Sequence, residues 1–126
     1  MTVVLDASAL LAYLHDESGA SIVAELLATA YVSSVNWAEV VQKSLAAGAV
    51  VDGMRDDVEA LGVAVTSFLP EDGDVAGQLW AQVRHAGLSL GDRACLSLGI
   101  RLGIPVVTTD RVWQTLGLMV EVRVIR

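Results

Sequence analysis

The sequence holds a single cysteine, a single lysine and no apolar run long enough to cross a bilayer. Cys95 alone excludes an intramolecular disulfide and any zinc site built only from cysteines. Its neighbours Ala94 and Leu96 make a buried thiol, not a nucleophile, the expected state. A membrane helix needs roughly 18 or more consecutive apolar residues, and no stretch supplies them. No basic N-terminal segment precedes a long apolar stretch, so no signal peptide is expected and the default location is cytoplasmic. Basic residues are also scarce: 8 Lys and Arg stand against 15 Asp and Glu, a net charge of −7. Proteins that grip nucleic acid through its phosphates are normally basic, so this balance speaks against such a partner. It does so less strongly where bound divalent cations cancel carboxylate charge locally.

What the chain has in quantity is apolar surface to bury. Over 126 residues, 54% are hydrophobic and 18% charged, which predicts one domain with a well-filled core and no disordered tract. Thr2–Leu5 reads as a buried strand, followed by a helix from Ala7 with Leu10, Leu11 and Leu14 on one face. A second helix is expected over Ser21–Ala30, then a strand at Tyr31–Ser33 and a helix from about Ser34 to Ala47, closed by Gly48. Val51, Met54, Val58 and Leu61 recur at helical spacing and predict a helix over Val50–Leu61. Val63–Thr66 has strand character, and Pro70 opens a long helix to about Ala86, with Glu71, Asp72 and Asp74 suited to its N-terminal dipole. Gly91-Asp92 begins a helix to Leu102, Pro105–Thr108 is a strand, Asp110–Leu116 a turn or short helix, and Val120–Ile125 a last strand. Strands alternating with helices predict a three-layer α/β sandwich around a mainly parallel sheet.

Four acids fall where such a sheet does chemistry. In open parallel sheets, ligands bind beyond the carboxyl ends of the strands. Asp6 ends the first strand and Asp110 follows the strand from Pro105, so both project from the same sheet edge. Asp92 begins the helix before that later strand, and Glu39 lies early in the helix after Ser33. Each acid also has a structural explanation. Asp6 and Asp92 suit helix N-caps, worth about 1 kcal/mol each. Glu39 can pair with Lys43 at i, i+4, worth at most about 0.5 kcal/mol, and Asp110 suits a turn. Together they read differently, because carboxylates about 4 Å apart repel by roughly 4 kcal/mol per pair at an effective dielectric of 20. A fold that gathers four needs a compensating cation or shared protons. Oxygen-only donors suit Mg²⁺ or Mn²⁺, and no Cys/His cluster points to zinc. Such a site can activate water and stabilise the leaving oxygen in phosphodiester cleavage.

The segments Val3-Val4-Leu5-Asp6-Ala7-Ser8, Val32-Ser33-Ser34-Val35-Asn36-Trp37-Ala38-Glu39, Leu88-Ser89-Leu90-Gly91-Asp92-Arg93 and Val106-Val107-Thr108-Thr109-Asp110-Arg111-Val112-Trp113 occur in that order. In order and spacing they resemble the four acidic motifs of PIN-domain ribonucleases, and within them the VapC toxins of type II (VapBC) toxin–antitoxin pairs. The resemblance runs from Val3 to Trp113 and implies a single PIN domain over residues 1–126, with about five strands in its sheet. It implies a metal-dependent endoribonuclease that leaves 3′-hydroxyl and 5′-phosphate ends. Asp6, Glu39, Asp92 and Asp110 would bind one or two Mg²⁺ or Mn²⁺ ions, with Ser8 and Thr108 orienting carboxylates from behind. Ser8 also suits a first-turn hydroxyl bonded to nearby backbone, and Thr108 an ordinary strand residue. Asn36 stands where many relatives carry a small hydroxyl residue.

The same resemblance implies a homodimer neutralised by a VapB antitoxin, whose helix lies in a hydrophobic groove and whose basic side chain enters the acidic site. Ile22, Val23, Leu26, Val51 and Met54 are candidate groove walls, and also ordinary core faces. Arg93 and Arg111 are the candidate RNA contacts, with Arg84 and His85 behind them. Trp37, Trp80 and Trp113 suit either base stacking or the core. Two rivals share parts of the pattern. A haloacid-dehalogenase-type phosphatase needs a second acid two residues after the first, where this chain has Ser8, and a lysine before the last acidic motif, whereas the only lysine is Lys43. A response-regulator receiver likewise needs an acid pair at the first strand and a late lysine. A non-catalytic PIN-like binding module would have lost acids, and here all four are present.

Overall fold

The computed structural model describes residues 1–126. Five short strands, β1 (Val3–Leu5), β2 (Ala30–Ser33), β3 (Ala64–Thr66), β4 (Val106–Thr108) and β5 (Val122–Val124), form one sheet in the order β3-β2-β1-β4-β5. Every neighbouring pair is parallel. Six helices connect them: α1 (Ala7–Leu14), α2 (Ala20–Leu26), α3 (Ser34–Ala46), α4 (Met54–Ala60), α5 (Pro70–Val83) and α6 (Leu90–Leu102).

The strand order dictates the layers. Crossovers between parallel strands are right-handed, so a chain that reverses direction across the sheet must change faces. From β1 the chain steps outward to β2 and β3, then returns past β1 to β4. The outward crossovers place α1, α2 and α4 over one face, where Val3 and Leu5 pack with Leu10, Val23, Val32 and Val58. The return places α5 and α6 over the other, where Val4 packs with Val83, Leu96, Leu98, Val106 and Trp113. The alternation Val3/Val4/Leu5 reports the period-2 pleat directly. Between β1 and β4 the strand order reverses, and ligands gather at that crevice in folds of this class.

Element boundaries differ from the expected ones at several ends: α5 stops at Val83 with a 3₁₀ turn over Arg84–Ala86, β5 is only Val122–Val124, and two differences bear on the path of the chain. The second helix stops at Leu26, a 3₁₀ turn covers Leu27–Thr29, and Ala30 already belongs to β2. The helix expected from Val50 begins only at Met54, because Gly53 sits at φ +75, a left-handed conformation that interrupts the helical path and starts it afresh. Val50 is correspondingly exposed. No helix is long and apolar enough to cross a membrane.

Candidate active site

Asp6 leaves the end of β1 at the crevice and is 5% exposed. It occupies the position of an N-cap for α1 yet makes no capping hydrogen bond. Its Oδ2 instead accepts from Ser8 Oγ at 2.7 Å and from Thr108 Oγ1 at 3.1 Å. Both hydroxyls are themselves fixed by the chain after β4: Thr109 N donates to Ser8 Oγ and Asp110 N to Thr108 Oγ1, each at 3.1 Å. The peptide groups leading to Asp110 therefore orient Asp6 through two hydroxyl relays. Asp110 Oδ1 accepts from Val112 N at 3.0 Å, which caps the 3₁₀ turn Arg111–Thr115.

The other two acids come from helices. Ser89, not Asp92, is the N-cap of α6, and Asp92 completes a capping box by accepting from Ser89 N through Oδ2 at 2.9 Å. Glu39 lies in the second turn of α3. Its spacing to Lys43 permits an i, i+4 pair, but none of the protein's ion pairs includes either residue. Glu39 is held by Asn36, whose Nδ2 donates to Glu39 Oε1 at 2.8 Å and to Gly91 O at 2.9 Å. Two acceptors facing one amide nitrogen fix its orientation. Asn36 is fully buried and its Oδ1 has no partner. Its role as the strut between α3 and α6 was invisible in sequence, since only the fold brings residues 36 and 91 together. Gly91 belongs to the same strut: a Cβ there would stand 2.8 Å from Glu39 Cδ.

Asp6, Glu39, Asp92 and Asp110 line one open cleft of about 430 Å³, with Lys43 and Arg111 on its rim. In each acid one oxygen is engaged by the protein, and the other (Oδ1 of Asp6 and Asp92, Oε2 of Glu39, Oδ2 of Asp110) carries no hydrogen bond within it. In Asp92 and Asp110 a capping role on one oxygen thus coexists with a second oxygen left free at the cleft. No group of three or more His, Cys, Asp or Glu side chains forms a ready-made metal cage, so the acids stand as separate donors around the cleft. Their charges are nevertheless felt. Burial, reinforced by Asp92 and Glu39, pushes the Asp6 carboxyl up to about 6 against the hydrogen bonds from Ser8 and Thr108. Beneath the cleft, burial pushes the Cys95 thiol well above its ordinary range, and Asp6, Asp92 and Glu39 add to the shift. Cys95 is a buried core thiol.

Other candidates lie elsewhere. Arg93 does not reach the cleft, because its Nη1 donates to Ala76 O of α5 at 2.8 Å. Arg84 lies over the exposed ring of Trp80, 5.2 Å from its centroid. Trp113 is core, at 1% exposure, and is closed to base stacking. Trp37 packs against the core edge. Val23 is buried outright and cannot line a groove; Leu26 and Met54 pack against the same core, whereas Ile22 is exposed. Val51 borders a shallow groove with Trp37 and Val41.

The PIN domain family model matches residues 3–117, and the chain belongs to that family. Among solved structures, its fold is similar to that of a toxin–antitoxin complex from Klebsiella pneumoniae, at 12% identity and a TM-score of 0.77, covering 99% of this chain and 98% of that one. It is also similar to VapBC2 from Rickettsia felis bound to a promoter DNA fragment, at 16% identity and a TM-score of 0.71 over 100% of both chains. A third is VapBC-1 from nontypeable Haemophilus influenzae, at 17% identity and a TM-score of 0.66 over 98% of both. No curated protein matches the sequence.

Proposed function

We propose that this chain acts as a single PIN domain with metal-dependent endoribonuclease activity, a VapC-like toxin held in check by a VapB-type antitoxin. One observation carries the reading. Four carboxylates from four chain segments line one cleft, each tethered through one oxygen and free at the other. The burial and mutual repulsion that raise Asp6 are costs a fold does not retain without a compensating ligand. Hard oxygen donors with no nitrogen or sulfur among them fit Mg²⁺ or Mn²⁺. Asp6, Glu39, Asp92 and Asp110 would hold the metal, which supplies Lewis acidity to the phosphoryl group and lowers the pKa of water.

The protein's own part is orientation. Ser8 and Thr108 fix the rotamer of Asp6, Asn36 sets Glu39 against α6, and the capping bonds lock Asp92 and Asp110. Each hydrogen bond to one carboxylate oxygen aims the other, which matters because small misplacements of reacting groups slow reactions strongly. Arg111, on the rim of the cleft, would meet a phosphate. The likeness to VapBC-type complexes supports the antitoxin partner, and a homodimer in the cytoplasm completes the proposal; the exposed Ile22 and the groove beside Val51 are where an antitoxin helix would find apolar surface.

The test is RNA cleavage by purified protein with Mg²⁺ or Mn²⁺, abolished by a chelator and by Asp6→Asn or Asp92→Asn. Cleavage that persists in either variant overturns the site assignment. Hydrolysis of a small phosphomonoester without RNA cleavage would favour a phosphatase instead.

A further inference from the structure

An acidic chain must still hold a polyanion, and the fate of its cations shows how. Of 8 Lys and Arg, four are neutralised by carboxylates: Arg55 by Glu59, Arg101 by Asp72, Arg123 by Glu121 and Arg126 by Glu17. Arg84 stacks on Trp80, and Arg93 donates into α5. Arg111 donates to Arg126 O from the rim of the acidic cleft. That leaves Lys43, whose side chain enters no ion pair and no hydrogen bond. It stands where two clefts meet. The acidic cleft shares Ser8, Lys43 and Thr109 with a second cleft of about 290 Å³ that adds His15, Glu17 and Arg126. Glu17 and Arg126 already engage each other, so the charge the second cleft has left to offer is that of Lys43, beside the cleft where four carboxylates gather. Thr109, half-buried on the shared rim, has a hydroxyl with no protein partner.

We propose that this second cleft is a phosphate subsite, in which Lys43 and the Thr109 hydroxyl hold the phosphodiester next to the scissile one in a single RNA strand. The proposal rests on the ribonuclease reading above. Its physical basis is that a lysine ammonium binds phosphate as a mobile point charge. A cationic groove beside the reacting position tracks the backbone of a single strand, so its contribution is independent of base sequence. In a chain of net charge −7, one uncommitted lysine at this junction offsets repulsion between the strand and the acids.

The experiment measures binding of a fluorescent single-stranded RNA of about 12 nucleotides by anisotropy in Mg²⁺, across a salt series. It uses Asp6→Asn protein, in which the strand should survive, with and without Lys43→Gln. The expected result is roughly three- to tenfold weaker binding for the double variant, with the slope of log K against log salt smaller by about 0.7, the value for one single-strand phosphate contact. Lys43→Arg should restore both. Arg55→Gln, which removes an exposed cation that lines neither cleft, should change neither. In the cleaving protein, Lys43→Gln should raise KM with little change in kcat. Equal affinity and slope with and without Lys43, or an unchanged KM, overturns the subsite while leaving the ribonuclease reading intact. Wild-type protein that neither binds nor cleaves RNA overturns that reading, and the subsite with it.

Discussion

Two aspartates lie buried in this protein, Asp6 at 5% exposure and Asp72 at 2%, and the fold treats their charges in opposite ways. Asp72, in the first turn of α5, accepts from Leu69 N and is met at 2.9 Å by Arg101 Nε from α6. Its charge is answered within the protein, and the pair ties two helices together. Asp6 receives only two neutral hydroxyls, with Asp92 and Glu39 as electrostatic neighbours and no ion pair of its own. A buried carboxylate with a cation is a structural joint, whereas one surrounded by other carboxylates is an open valence. Removing the charge should therefore have opposite consequences at the two places.

Asp6→Asn should lower RNA cleavage on the order of 10³-fold, the scale of a lost interaction of several kcal/mol. It should also make the metal-free protein more stable at pH 7 by up to about 3 kcal/mol, since it deletes a charge that folding disfavours. Asp72→Asn should leave cleavage nearly intact and cost about 2–3 kcal/mol, below the range for fully buried pairs because the Arg101 side chain is 30% exposed. Urea unfolding in chelator measures both, and equal destabilisation by the two variants would break the comparison.

The same contrast predicts a pH dependence. Folding raises the Asp6 pKa from 3.8 to about 6, so the folded state binds that proton more tightly than the unfolded chain. The stability this contributes is fully present below about 3.8 and is lost as pH rises through about 6. Metal-free wild type should lose stability relative to Asp6→Asn across that window. Mg²⁺ should return it above pH 6 in wild type and much less in the variant, as thermal melts with and without the ion would show.

The contrast also marks what could be read from the chain. Asp6, Asp92 and Asp110 were visible because each adjoins a strand end or helix start that hydrophobic periodicity locates, and sheet topology then places them at one edge. The helix boundary at Gly53 was not, because a left-handed glycine inside an apolar period changes the path without changing the pattern. The direction of the Arg93 side chain is hidden for a related reason: adjacency to Asp92 says nothing of which helix face a long side chain follows, and its Nη1 reaches α5. Asn36, Gly91 and the Asp72–Arg101 pair escaped because they are contacts between distant segments, decided by helix packing alone.

Asn36 sharpens the comparison, since it is a neutral donor doing for Glu39 what a cation would do elsewhere. Asn36→Ala should reduce cleavage roughly 10- to 100-fold, the range for residues that orient metal ligands. Its stability cost should be about 2–3 kcal/mol, because both Nδ2 bonds are lost while the unpartnered Oδ1 loses nothing.

The smallest effect, and the most discriminating, belongs to Gly91. A methyl group there would stand 2.8 Å from Glu39 Cδ, closer than real contacts allow, and 3.0 Å from its Oε2, tighter than most. The backbone at Gly91 is ordinary helix, so Gly91→Ala meets no conformational penalty and gains up to about 1 kcal/mol of helix propensity. The Glu39 carboxylate must yield, and Asn36, hydrogen-bonded to the carbonyl of residue 91 itself, resists its movement. The expected outcome is a protein as stable as wild type or slightly more so, with cleavage reduced about tenfold and a weaker response to Mg²⁺ in thermal melts. Unchanged cleavage would mean that Glu39 works from a position other than the one Asn36 holds, and would reduce the strut between α3 and α6 to packing.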